Sequence, residues 1–169
     1  MTAFLIDNKE GLDMKTLVAY FSASGYTGSL AKRLAKAADA GLFEIKPVEP
    51  YTDADLRWTN PLARCNREKI GKKDVPVAGR VDGFDEYDMI YIGFPIWYYA
   101  EPNIIDTFVK SYDFTGKKVA LFATSGGSDI TKVTGKLQPL MKGEIIGAKL
   151  FDADADRASI TSWMRSMGV

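Results

Sequence analysis

Apolar and polar positions along this chain of 169 residues alternate between strand-like runs and stretches of helical periodicity. Thr16 to Phe21 (TLVAYF), Met89 to Phe94 (MIYIGF) and Lys118 to Ala123 (KVALFA) are short apolar runs without polar alternation, the pattern of strands buried on both faces. Phe43 to Val48, stopped by Pro50, and Ile145 to Phe151, split by Gly147, read as two weaker strands. Between them, Leu30, Ala31, Leu34, Ala35 and Ala38 recur at helical spacing opposite Lys32, Arg33 and Lys36, and Gly41 is expected to end that helix. Pro102 stands at the first turn of a helix whose apolar stripe is Ile104, Ile105, Phe108 and Val109. Asp129 is placed to cap a helix carrying Val133, Leu137 and Leu140, and Asp156 one carrying Ile160, Trp163, Met164 and Met167. Residues 50 to 83 are the least patterned. Pro61 is positioned to open a helix with Leu62, Cys65 and Ile70 inward, and Pro76 interrupts any regular element beyond it.

Strands alternating with helices predict a doubly wound α/β domain, a five-stranded parallel sheet covered by helices on both faces. That domain is expected over residues 15–169, after an extension at residues 1–14 or with Met14 as the start. In such sheets ligands bind beyond the carboxyl ends of the strands. The loops after Phe21, Phe94 and Ala123 are therefore the places to look.

Composition narrows the chemistry. Lys plus Arg equals Asp plus Glu at 22 each, and no basic stripe appears, which argues against a nucleic-acid partner. There is no histidine, so Ser-His-Asp and Cys-His catalysis and His-ligated zinc are excluded. The single Cys65 allows no intramolecular disulfide, reads as a packing residue, and fits a reducing cytoplasm. No apolar run approaches the roughly 20 residues of a membrane span, and MTAFLIDNKEGLDM lacks the layout of a signal peptide.

The first loop, Ser22-Ala23-Ser24-Gly25-Tyr26-Thr27, offers hydroxyls, a glycine and the free amides of a helix start, a set that suits a phosphate or serves as a plain capped turn. It has neither the GK[ST] of a P-loop nor GxGxxG. The second loop follows Phe94 with Pro95, Ile96, Trp97, Tyr98 and Tyr99. Three consecutive aromatics at a strand exit do not all fit a core, so at least one is expected to serve as a platform for a flat ring. The third, Thr124-Ser125-Gly126-Gly127-Ser128, lets backbone amides approach a ligand closely.

With YFSASGYTG, EYDMIYIGFPIWYYAEPNIIDTF and YDFTGKKVALFATSGGS in place, the chain resembles the flavodoxins over most of Lys15 to Met167. The resemblance implies the flavodoxin strand order 2-1-3-4-5 and a noncovalent FMN at the switch point, flavodoxins being a standard example of ligand binding at such a point. It also implies that Ser22, Ser24 and Thr27, with the amides of Ala23 to Thr27, hold the phosphate. Pro95, Ile96, Trp97 and Tyr98 would line the ribityl chain and isoalloxazine, and Thr124 to Ser128 the pyrimidine edge. The chain departs from the family at Tyr26, where Asn is common, in having no glycine between Phe94 and Pro102, and in its neutral charge. Asp53, Asp55, Glu101 and Asp106 read better as an ordinary solvated face than as a local acidic patch for a partner.

The function so implied is electron transfer to redox partner proteins by a cytoplasmic monomer or weak homodimer, with no side chain acting as general acid. The alternative is an FMN-dependent NAD(P)H:quinone-type oxidoreductase, and a third reading is a flavin-free binding module. A response-regulator receiver is excluded, because Ser22-Ala23-Ser24 holds no acidic cluster.

Overall fold

A computed structural model describes residues 14–124 and 130–169. The sheet strands are β1 (Thr16–Tyr20), β2 (Gly41–Glu44), β5 (Met89–Pro95), β6 (Lys118–Thr124) and β7 (Glu144–Phe151). A separate antiparallel pair is formed by β3 (Lys46–Pro47) and β4 (Val77–Ala78). The helices are α1 (Tyr26–Ala38), α2 (Arg64–Ile70), α3 (Asn103–Lys110), α4 (Thr131–Leu137) and α5 (Arg157–Ser166).

The sheet runs β2-β1-β5-β6-β7 with every pairing parallel, which is the flavodoxin-like order 2-1-3-4-5 when only its own strands are counted. Its two faces are covered separately. Leu17 and Ala19, Ile90, Ile92 and Phe94, and Val119, Leu121 and Ala123 point to one side, where Ile104, Ile105, Phe108 and Val109 of α3 and Val133 and Leu137 of α4 close over them. Val18 and Tyr20, Met89 and Tyr91, and Ala120 and Phe122 point to the other, under Leu30, Ala31, Leu34 and Ala35 of α1 and Ile160 and Trp163 of α5. Both faces being buried explains why these strands show continuous apolar runs. Gly93 makes the second face possible at its centre: it pairs with Phe122, and a Cβ there would lie 2.1 Å from the Phe122 ring. Asp156 caps α5 by accepting the Ser159 amide at 2.8 Å.

Four expectations are corrected. Gly41 starts β2 rather than stopping α1; Asp39, in the left-handed region at φ 50°, ends that helix. The strand expected through Val48 leaves the main sheet after Glu44 and continues as the β3–β4 pair. In α2 Cys65 is buried, but Leu62 and Ile70 are exposed at 76% and 81%. This short helix is held by side-chain amides rather than an apolar stripe: Asn66 donates to the carbonyls of Trp58 and Asn60, and Asn103 to those of Glu68 and Lys73. Finally, the strand read as split by Gly147 is a single strand over Glu144–Phe151, with a bulge where its register with β6 shifts between Val119 and Ala120. Residues 1–13 and the expected cap Asp129 lie outside the described residues. No helix among those described is long and apolar enough to cross a membrane.

Candidate functional site

The carboxyl ends of β1, β5 and β6 lie side by side, and three hydrogen bonds tie their loops together. Phe21 donates its amide to the Gly93 carbonyl at 2.9 Å, and Ile96 donates to the Thr124 carbonyl at 3.0 Å. The hydroxyls of Thr27 and Thr124, both buried, meet at 2.8 Å. The switch in strand order falls here, between β1 and β5.

The first loop is organised by Ser22, whose Oγ accepts the amides of Gly25 at 3.1 Å and Gly28 at 3.0 Å. Gly25 has φ 93°, a conformation that a side chain would strain. Gly28 packs closely, since a Cβ there would touch the Ser22 Oγ at 3.4 Å. Ser22 thereby satisfies one first-turn amide of α1, that of Gly28, while the Tyr26 and Thr27 amides, like those of any helix start, have no intrahelical acceptor. Ser24 and Tyr26 are exposed, and Ser24 has no hydrogen bond among the described residues. Of the three hydroxyls expected to grip a phosphate, Ser22 thus accepts two amides and keeps its proton, Thr27 is shared with Thr124, and Ser24 is uncommitted.

The second loop is a tight turn. Trp97 and Ala100 exchange both backbone hydrogen bonds, at 2.8 and 3.0 Å, and Tyr98 and Tyr99 between them have φ 54° and 64°. Two left-handed residues in a two-residue reversal are the type I′ pattern, which ordinarily selects Asn-Gly. Two tyrosines there cost about 1–2 kcal/mol each. Pro95 and the Trp97 ring are half-buried, and Ile96 is in the core. Phe21 and Tyr51 each meet the Trp97 ring edge-to-face at 5.6 Å.

Residues 50 to 70 support this wall, which the sequence pattern did not indicate. Tyr51 donates its hydroxyl to the Glu68 carboxylate, which also accepts from Arg64 Nε at 2.6 Å. The Arg64 guanidinium lies 4.1 Å from the Tyr51 ring centre and donates to the Glu49 carbonyl at 2.8 Å. Burial, with the Glu68 carboxylate second, pushes the Tyr51 phenol up, so it stays neutral and its ring stays in place. The only signal available in the chain was Arg64 and Glu68 at i, i+4. The Tyr98 hydroxyl faces the buried Cys65 Sγ at 3.9 Å, and burial raises it to about 12.

The four carboxylates Asp53, Asp55, Glu101 and Asp106 do not share one solvated face, nor one acidic patch. Glu101 is 2% exposed, and its main-chain carbonyl accepts Lys69 Nζ at 3.1 Å. Burial, then a hydrogen bond and charge from Asp106, raise the Glu101 carboxyl to about 7. Desolvation lowers the pKa of Lys69. Of the third loop, Thr124 ends β6 as described, while Ser125, Gly126, Gly127 and Ser128 lie outside the described residues.

The sequence profile of the family described as Flavodoxin matches residues 15–167. Among solved structures, a Bacteroides uniformis protein assigned to the flavoproteins is 41% identical, with TM-score 0.83, covering 90% of this chain and 98% of its own. One from Bacteroides eggerthii, assigned likewise, is 36% identical, with TM-score 0.84 and coverages of 92% and 98%. A Lactobacillus acidophilus flavoprotein in complex with FMN is 27% identical, with TM-score 0.68 and coverages of 89% and 99%. No curated protein sequence matches the chain.

Proposed function

Since the chain belongs to the flavodoxin family, we propose that it binds FMN noncovalently at the ends of β1, β5 and β6 and carries electrons between redox partner proteins. One observation carries the reading: an amide-rich helix start without a carboxylate stands beside a strand exit bearing an anchored tryptophan. Both lie at the switch in strand order.

The residues fit the cofactor. From Ser22 to Thr27 the loop presents hydroxyls and amides and no negative group, the donor set a phosphate dianion needs. Ser24 and the Tyr26 and Thr27 amides would take the phosphate oxygens, with Ser22 holding the curve of the loop. The Thr27–Thr124 pair uses one of its two hydroxyl protons internally and keeps the other for a ligand. Pro95, Ile96, Trp97 and Tyr98 would line the flat ring, with Phe21 and Tyr51 fixing the angle of Trp97. Ser125 to Ser128 would close the remaining edge. Bound flavin supplies the redox chemistry, and the protein supplies binding, orientation and electrostatics. The Arg64–Glu68–Tyr51 network holds the Tyr51 ring against Trp97 without requiring a proton to move.

On this reading residues 15–169 form one flavin-binding domain that works in the cytoplasm, a setting the lone reduced Cys65 supports. The test is an absorbance spectrum before and after adding FMN, followed by reduction with dithionite and then NADPH. Flavin bands near about 375 and 450 nm that bleach with dithionite but not NADPH support the carrier. Rapid bleaching by NADPH, with turnover on an added quinone, would transfer the assignment to the NAD(P)H oxidoreductase. No flavin signal would refute both.

A further inference from the structure

Glu101 follows directly on the Trp97–Ala100 turn and runs into the protein. It is 2% exposed, and its Oε2 is buried with no hydrogen-bond partner. Asp106, in the first turn of α3, has a buried Oδ1 in the same condition. The two carboxyl groups are within hydrogen-bonding reach of each other. If both were ionised, each would have lost water and gained a negative neighbour. A single proton removes both faults, because the acid O–H donates and the carboxylate accepts.

The surrounding charges decide which group carries it. Asp106 sits at the start of α3, where the helix dipole favours negative charge, so Asp106 is the carboxylate and Glu101 the acid. Lys69 of α2 approaches from the other side, but its Nζ bonds the main-chain carbonyl of Glu101. Lys136 of α4 is a further positive charge, and it acts on Lys69. With Lys69 charged, the cluster is neutral when it holds one proton and negative when it holds none.

We propose that Glu101 is a positioning residue for the flavin wall: the proton it shares with Asp106 latches the end of the Trp97–Ala100 turn onto the first turn of α3. The inference rests on the reading that this turn lines the flavin. The turn needs such a latch, because Tyr98 and Tyr99 hold left-handed backbone that only their surroundings maintain. Loss of the proton leaves two facing negative charges, the contact opens, and flavin binding weakens as pH rises.

The test measures the FMN dissociation constant of the full-length protein by flavin fluorescence from pH 6 to pH 8, beside Glu101→Gln and Asp106→Asn. Each variant supplies a permanent amide N–H in place of the proton. Where binding requires the latched form and the proton leaves near neutrality, the wild-type constant rises about tenfold across this interval relative to Glu101→Gln. Comparison with the variant cancels the titration of the FMN phosphate itself. Parallel profiles for wild type and Glu101→Gln would overturn the latch. A second readout needs no flavin: the ¹³C carboxyl shift of Glu101 in the apoprotein should titrate near neutrality, and a midpoint in the ordinary carboxylate range would also overturn it. Trp97→Ala separates the two readings. Unchanged FMN affinity there would refute the flavin wall, whereas weakened affinity with parallel pH profiles would refute the latch alone.

Discussion

Removing either hydroxyl of the Thr27–Thr124 pair should destabilise the protein more than removing both. The two oxygens are 2.8 Å apart, in residues only 2% and 9% exposed. Thr27→Val leaves the Thr124 hydroxyl without its partner in a dry place, and Thr124→Val does the reverse. Either loss is expected to cost about 1–3 kcal/mol, because the orphaned group keeps its desolvation penalty. The double variant replaces both hydroxyls by methyl groups of similar shape and should return to within about 1 kcal/mol of wild type. The coupling energy is then about 3 kcal/mol at the middle of these ranges, the upper end of what residues in direct contact show. Urea unfolding of the four apoproteins measures it as a change in midpoint at constant slope. Because the bond joins the first turn of α1 to the end of β6, FMN affinity should fall in the single variants too. A double variant whose loss equals the sum of the singles, within about 0.5 kcal/mol, would refute the idea that the hydroxyls depend on each other.

Other consequences are equally open to measurement. Gly93→Ala drives a Cβ to 2.1 Å from the Phe122 ring and should lower stability by about 1–3 kcal/mol in thermal melts, with part recovered when Phe122 is also changed to Leu. Tyr99→Gly relieves a left-handed residue that is 67% exposed, and should raise the apoprotein melting temperature by about 2–4 °C; a fall would mean that the ring contributes more than its backbone costs. Ser24→Ala should weaken FMN binding without altering apoprotein stability, since that hydroxyl has no partner among the described residues. Glu101 binds its proton more tightly folded than unfolded, being raised from 4.5 to about 7. Its contribution is therefore full below about pH 4.5 and lost as pH rises through about 7, on the order of 2 kcal/mol after allowance for solvent screening. Glu101→Gln should flatten that part of the stability profile.

The strands that build the site could be read from the chain because parallel strands covered on both faces have no room for polar residues. TLVAYF, MIYIGF and KVALFA declared themselves, and with them the places where their loops emerge. The turn after Ala38 was misread because Asp39, not a glycine, takes the left-handed position, a substitution that Asp tolerates through its short polar side chain. The region from Tyr51 to Lys73 was opaque for a different reason. It is held by Asn66 and Asn103 reaching main-chain carbonyls and by a half-buried Arg64–Glu68–Tyr51 network, and none of these leaves an apolar period. The burial of Glu101 was hidden for the same reason. A glutamate beside Asp106 looks like solvated surface until the turn before it is seen to direct it inward.

The parallel pairing of β1 with β5 has a kinetic consequence. Strand β1 finds its main partner only after β2, the β3–β4 pair and α2 have been made, so the central contacts of the sheet span long stretches of chain. Closing such loops is slow, and the ends of β1, β5 and β6 come together only once it is done. A ligand gripped by those ends has nothing to hold in the transition state for folding. It should leave the refolding rate nearly unchanged and express its whole effect by slowing unfolding, so that half-life in denaturant, rather than speed of recovery, reports its presence.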